Sequence, residues 1–216
     1  MKTDNLYQLS RRDVEQGAAV LARAFIDYPT FKYLFPDPTS RGEQLEHVMR
    51  FFIRCGLLRG QVLAPSDRME GVAIWYPSTD LDFGLNTVIR AGLASVLRGL
   101  GWSPFVRFKE LGDAKKAHRN RTMQERYWFL DVIGVDPAHA HRGFGRRLIE
   151  PKLEQADRER SACYLDTCDR DNIALYERFG FRLRSTYRFQ ELETFCMVRT
   201  PEPQRKMDAT ALSKSP

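Results

Sequence analysis

Between Ala140 and Gly145 the chain reads AHRGFG, with Gly143 and Gly145 set among His141, Arg142, Arg146 and Arg147. Glycine lets backbone approach a ligand closely or take up positive φ. A helix starting at such a turn points free N–H groups and the positive end of its dipole outward. That combination suits the holding of an anion, phosphate above all, by main-chain donors. A dinucleotide fingerprint would need a third glycine where Leu148 stands, and a Walker loop would need Gly-Lys followed by Ser or Thr. The turn alone is therefore equally well read as a tight strand-to-helix connection.

A second constellation is DNIALYERFGF, Asp171 to Phe181. Asn172 fits a helix N-cap and Gly180 the residue after a helix end. Tyr176 between them is either a core aromatic or a phenol able to give a proton. Two carboxylates, Asp131 and Asp166, fall on apolar stretches that read as strands, and each is a candidate general base or a structural acid. Strict alternation puts Asp131 on the same face as Ile133 and Val135. The four cysteines (Cys55, Cys163, Cys168, Cys196) and four histidines make no CxxC pair and no zinc spacing. Free thiols in a reducing cytosol, and no metal, are the expectation.

These residues need elements to position them. Asn5 to Leu9 reads as a short first strand, after which Ser10 caps a helix with Asp13 as the acidic partner of a capping box. Val14, Ala18, Leu21, Ala22 and Phe25 form its apolar stripe, and Asp27-Tyr-Pro29 ends it. The aromatic FKYLFPDP stretch reads as a short helix or turn, and Leu45, Val48, Met49, Phe52 and Ile53 as a further helix closed at Gly56 or Gly60. Gln61–Ala64 and Gly71–Tyr76 form a hairpin around Ser66-Asp67-Arg68. Leu85 to Leu100 keeps helical spacing throughout. Arg107 to Arg126 carries seven Lys/Arg against three acids and reads as a solvated helix or loop. Trp128 to Val135 is the central strand, followed by the glycine loop and a helix over Arg146 to Arg160 that Pro151 bends. Ala162–Asp166 is a strand, Asn172–Phe179 a short helix, and Arg182–Gln190 with Thr194–Arg199 a closing hairpin.

Composition sets outer limits. With 216 residues, 43% apolar and 14 phenylalanines, the chain has ample material for one core. The charge of +6 suits an anionic ligand but would equally serve nucleic acid or an acidic surface. No RNP, KH or zinc pattern supports nucleic acid, so none is expected as a partner. No segment approaches the ~20 apolar residues of a membrane span, and no signal peptide is evident. A cytoplasmic protein without membrane association, monomeric or homodimeric, is the expectation.

Taken together, a strand ending Val135-Asp-Pro137, a glycine loop opening a helix, a further strand, and N-x-A-x-Y-x-x-x-G-F resemble the Gcn5-related N-acetyltransferase (GNAT) family. The resemblance is specific over Tyr127 to Phe181. It extends loosely to AFxDYP (Ala24–Pro29), YLFPD (Tyr33–Asp37), GVAIWYPS (Gly71–Ser78) and FCMVR (Phe195–Arg199), pieces similar to the small-molecule branch containing puromycin N-acetyltransferase-like proteins. It implies an α+β fold with a mixed, mostly antiparallel sheet of about seven strands flanked by helices. One domain over residues 1–200 is expected, with a helical insertion near 80–126 where this branch inserts extra elements, and the polar stretch 201–216, which lacks periodicity, reads as a disordered tail.

In function, the resemblance implies an acetyl-CoA-dependent N-acetyltransferase moving an acetyl group directly to a primary amine, of a small molecule first and of a peptide or protein next. A CoA-binding sensor without catalysis is the other reading. The resemblance further implies that the Ile133-Gly134-Val135 backbone pairs with the pantetheine arm like an added strand. His141, Arg142, Gly143, Phe144, Gly145 and Arg146 would wrap the pyrophosphate. Asn172 would sit near the pantetheine, and Tyr176 near the sulfur as general acid. One departure is plain: family loops usually begin with Arg or Gln, whereas here Ala140 stands first and His141 follows where glycine is common. Arg142, Arg146 or Arg147 can restore the missing charge.

Overall fold

A computed structural model describes Leu6 to Pro201. Asn5 of the expected first strand and the expected tail over residues 202–216 lie outside the described residues. One seven-stranded sheet organises the rest, in the order β1-β2-β3-β4-β5-β7-β6. The strands are β1 (Tyr7–Gln8), β2 (Gln61–Ala64), β3 (Gly71–Pro77), β4 (Tyr127–Val135), β5 (Ala162–Thr167), β6 (Arg182–Phe189) and β7 (Leu192–Arg199). Every neighbouring pair is antiparallel except β4 with β5, which run parallel. The fold is α+β, with the mixed sheet and flanking helices expected.

Before the sheet's centre come α1 (Val14–Phe25), α2 (Pro29–Leu34) and α3 (Pro38–Arg59); α4 (Leu85–Ala91), α5 (Leu93–Leu100) and α6 (Trp102–Thr122) join β3 to β4. α7 (Phe144–Arg158) and α8 (Asp171–Glu177) follow β4 and β5. Apolar side chains from α1 to α3, α5 and α6 (Leu21, Leu34, Val48, Met49, Leu100, Leu111) bury one face of the sheet. Leu148, Ile149, Leu153 and Ala156 of α7 cover the other, against Trp75 and Leu130. β3 meets apolar helices on both sides, which is why GVAIWY is a continuous apolar run.

The local signals hold in several places. Asp13 accepts from the Ser10 N–H (2.7 Å) and the Ser10 hydroxyl (2.7 Å), the acidic half of the box. Pro29 both follows the end of α1 and opens α2 at the first helical position, where its missing N–H costs nothing. α7 runs unbroken through Pro151. Three expectations need correction. The segment Leu85–Leu100 is two helices, because Gly92 takes φ +102° and turns the chain between them. The basic segment is helical from Trp102, and Lys115 and Arg119 on it turn inward rather than into solvent: Arg119 is buried, and Lys115 pairs with Asp166. Finally, Asn172 is inside α8, whose N-cap position is Arg170; the Asp171 N–H donates to Asp169 Oδ1 (3.1 Å) just before the helix.

Candidate active site

The site begins with a defect in strand pairing. Ile74 of β3 faces Val132 of β4, but the next residue, Trp75, faces Leu130, leaving Asp131 as an unpaired extra residue. Such a bulge breaks side-chain alternation and re-aims a residue. Phe129 and Val132 pack with the helical face of α1 and α3, while Leu130 and Ile133 pack with the α7 face. Asp131 acts electrostatically on Cys55 and Tyr76, which belong to the first face. The expectation that it shares a face with Ile133 and Val135 is therefore overturned by the bulge.

A second irregularity lies on the other edge of β4. Its parallel pairing with β5 covers Tyr127 to Leu130 against Ala162 to Leu165 and stops. Asp166 and Thr167 continue on β7 alone, and Val132 to Val135 continue on β3 alone. The strands part, and a cavity of about 510 Å³ occupies the gap. Its lining includes Asp131 to Val135 of β4, Leu165 and Asp166 of β5, Asn172 and Tyr176 of α8, and Lys115 and Arg119 of α6. The structure thus gathers Asp131, Ile133, Gly134, Val135, Asp166, Asn172 and Tyr176 around one space.

The titratable groups there are strongly perturbed. Burial pushes the Asp131 carboxyl up to about 6; Arg119 and Lys115 pull it back, and Asp166 adds to the rise. Asp166 is otherwise engaged: Lys115 Nζ donates to its Oδ1, while Oδ2 is buried without a partner. Burial works to lower the Lys115 pKa, but the charges of Asp166, Cys168 and Tyr28 outweigh it and hold the pKa well above the usual range. Arg119 lies over the Phe129 ring, 4.5 Å from its centroid. Tyr176 is buried, its ring edge-on to Phe181 at 5.9 Å, and burial with the nearby Tyr28 and Asp166 raises its phenol above the ordinary value. Among the described residues its hydroxyl meets no protein hydrogen-bond partner. Tyr28 does: its hydroxyl shares a hydrogen bond with Thr167 Oγ1 (2.8 Å) and accepts from the Cys168 N–H (2.8 Å). Asn172 Nδ2 donates to the same Thr167 Oγ1 (3.3 Å).

The glycine loop follows β4, and none of His141, Arg142, Gly143, Phe144, Gly145 or Arg146 is among the residues lining the cavity. His141 takes φ +61° and Gly143 φ +79°, and Gly143 leads directly into α7. A Cβ at Gly143 would meet nothing within 4 Å, so its glycine is required by conformation and not by crowding. Of the three arginines that could add charge, Arg146 is occupied with Glu150 (2.6 Å) and Arg147 with the Pro65 carbonyl (3.2 Å). Arg142 is exposed and makes no hydrogen bond within the protein among the described residues.

Gly134 has a different reason. An added Cβ would lie 2.8 Å from Ala24 Cβ and 3.0 Å from Leu21 Cδ2, so α1 rests on β4 at this point. Gly134→Ala is expected to overpack this contact and cost about 1–3 kcal/mol of stability. Urea unfolding checks this; an unchanged midpoint would show that α1 shifts freely.

Lys115, Arg119 and Tyr28 were not legible as site residues. The signal available was their register: Phe108, Leu111, Lys115 and Arg119 fall at i, i+3 and i+4 steps, so the cations continue an apolar stripe. The four cysteines are free, as expected, and all four are buried. Among the described residues no cluster of three or more His, Cys, Asp or Glu could hold a metal, and no helix is long and apolar enough to cross a membrane.

Sheet order, the parting of β4 from β5, and the glycine loop opening α7 define a GNAT fold. The family described as Acetyltransferase (GNAT) family matches residues 105–181. An uncharacterized N-acetyltransferase of Schizosaccharomyces pombe is 27% identical over 221 residues, covering 96% of this chain and 88% of that protein. A Corynebacterium glutamicum structure described as histone acetyltransferase HPA2 and related acetyltransferase superposes with a TM-score of 0.64 at 18% identity, covering 93% of this chain and 98% of that one. The arylalkylamine N-acetyltransferase 2 of Aedes aegypti superposes with a TM-score of 0.58 at 14% identity, covering 92% and 99%. Residues 105–181 carry the match to the GNAT acetyltransferase family, and the chain is a transferase.

Proposed function

We propose that the protein is an acetyl-CoA-dependent N-acetyltransferase that moves the acetyl group directly to a primary amine of a small molecule. The observation that carries this reading is the parting of β4 from β5, which leaves the Asp131–Val135 edge free along a cavity that is also lined by Tyr176 and Asp166. A free strand edge offers backbone N–H and C=O groups to an extended amide-bearing chain. The pantetheine arm is such a chain, and Ile133, Gly134 and Val135 are the residues that would hold it, with Asn172 on the opposite wall. The loop from His141 to Arg146 has the positive φ values and the helix start needed to aim N–H groups at a pyrophosphate, and Arg142 is the free side-chain charge beside it. Acetyl-CoA supplies the acetyl group as a thioester.

The chain's own residues have three tasks. An alkyl amine of pKa about 10 is mostly protonated at neutral pH, so a base must take its proton. Asp131 is the better candidate, because Asp166 is committed to Lys115. A β4 N–H between Ile133 and Val135 would stabilise the negative charge that develops on the carbonyl oxygen. Tyr176, held protonated, would donate to the departing sulfur. The helices inserted between β3 and β4 close over the cavity through α6, which favours a small acceptor.

The test is release of free CoA from acetyl-CoA by the purified protein with a panel of amines. Release that depends on the amine supports the reading. Binding of acetyl-CoA with no release from any amine would make the protein a CoA-binding sensor instead.

A further inference from the structure

The cavity extends well past the strand edge and the Asn172–Tyr176 wall. Its far end is built from α3, α6 and the segment after β3. There Phe51 and Phe52 of α3 meet Phe108 of α6, with ring centroids 6.5 and 5.8 Å from it. Phe83 lies against Tyr76 at 5.2 Å. All four phenylalanines are only partly buried, so apolar ring area is left facing the space. The polar groups beside this wall are few. The Tyr76 hydroxyl is buried without a partner, and Asp131 is close enough for its charge to disfavour ionisation of both Tyr76 and Cys55. The other charges are committed: Lys115 to Asp166, and Arg119 to the face of Phe129. Lys109 and Asp113 pair with each other, both exposed at the rim.

Resting on the acetyltransferase reading above, we infer that the acceptor is a primary amine carrying an aromatic group. Its ring would seat among Phe51, Phe52, Phe83 and Phe108, and its amino group would point at Asp131. Offset and edge-on ring contacts favour an aromatic occupant over an aliphatic one of equal area. A sugar or polyamine would bring hydroxyls or a second charge against phenyl rings that cannot bond to them. A peptide would bury backbone N–H and C=O groups there without partners.

The experiment compares 2-phenylethylamine, butylamine, spermidine and a short peptide with a free N-terminus. kcat/KM is measured with acetyl-CoA, and equilibrium binding of each amine is measured separately by calorimetry. Burying a phenyl group is expected to raise kcat/KM for 2-phenylethylamine about 10–100-fold over butylamine. Spermidine and the peptide should fall below 2-phenylethylamine. Phe108→Ala should shrink the 2-phenylethylamine to butylamine ratio at least severalfold, whereas Phe108→Leu, which keeps most of the apolar volume, should shrink it less. Turnover without preference for the aromatic amine, or faster turnover of spermidine or the peptide, overturns the inference and leaves the acetyltransferase reading intact. Aromatic-selective binding that Phe108→Ala weakens, without turnover of any amine, supports the pocket assignment while removing the catalytic reading. Equal or absent binding of 2-phenylethylamine and butylamine together with no turnover overturns both.

Discussion

Tyr176→Phe is expected to lower kcat about 10²–10³-fold while changing the affinity for acetyl-CoA by less than about threefold. The ring stays in place, because its edge-on contact with Phe181 and its burial do not involve the hydroxyl. What is lost is one O–H in a site where it meets no protein partner. Burial, with the charges of Tyr28, Asp166 and Asp169, raises the Tyr176 pKa, so the phenol remains protonated across the working pH range. A thiol of pKa about 8.5 leaves as a weaker base than such a phenolate. Complete proton transfer from Tyr176 is therefore uphill, and a hydrogen bond that strengthens as charge builds on sulfur carries more of its contribution. Steady-state kinetics at saturating amine, with acetyl-CoA binding measured independently, separate the two quantities. Equal turnover in the variant would remove Tyr176 from the mechanism. A loss confined to acetyl-CoA affinity would reduce it to a binding residue.

How far the chain could be read without its structure depended on the range of the interactions involved. β2 was legible to the residue, since a polar turn and a short β-rich run are local facts. The glycine loop was legible because positive φ at Gly143 is a demand of the backbone itself. The break at Gly92 was not: apolar spacing continues in register across it, and periodicity cannot distinguish one helix from two related by a left-handed residue. The bulge at Asp131 was equally hidden, because it arises from how Ile74 and Trp75 meet the strand, not from any residue within WFLDVIG. The basic run departs from its solvated expectation for a related reason. Charge counting treats Lys115 and Lys116 alike, yet the first pairs with buried Asp166 and the second with exposed Asp82. Removing charge from water is unfavourable without a partner, and the partner here is 51 residues away in sequence.

The bulge has a measurable consequence in stability as well as rate. Asp131 carries a folded-state pKa of about 6 against an ordinary 3.8, burial being the largest cause. A carboxyl whose pKa is raised on folding favours the folded state when protonated. Its contribution is present in full below the unfolded value and is lost as pH rises through about 6. Above that pH the charge, held in the cavity wall and only partly reached by water, is a cost, and Asp131→Asn relieves it. The variant is expected to be more stable than the natural protein at pH 7.5, by up to about 3 kcal/mol, with the difference vanishing below pH 4. The same substitution removes the proposed base, so kcat/KM should fall about 10²-fold at pH 7.5. In the natural protein kcat/KM should decline below a pH of about 6 as Asp131 becomes protonated, and in Asp131→Asn that limb should be absent. Thermal unfolding across pH, paired with pH–rate profiles, tests both halves. A variant that is less stable at pH 7.5 would mean that Asp131 is held by favourable contacts and not by strain. Retention of the limb near 6 would move the base to another group, with Asp166 next in reach of the cavity. A gain in stability accompanied by a loss of rate is the signature of a group whose place is set by catalysis at the expense of folding.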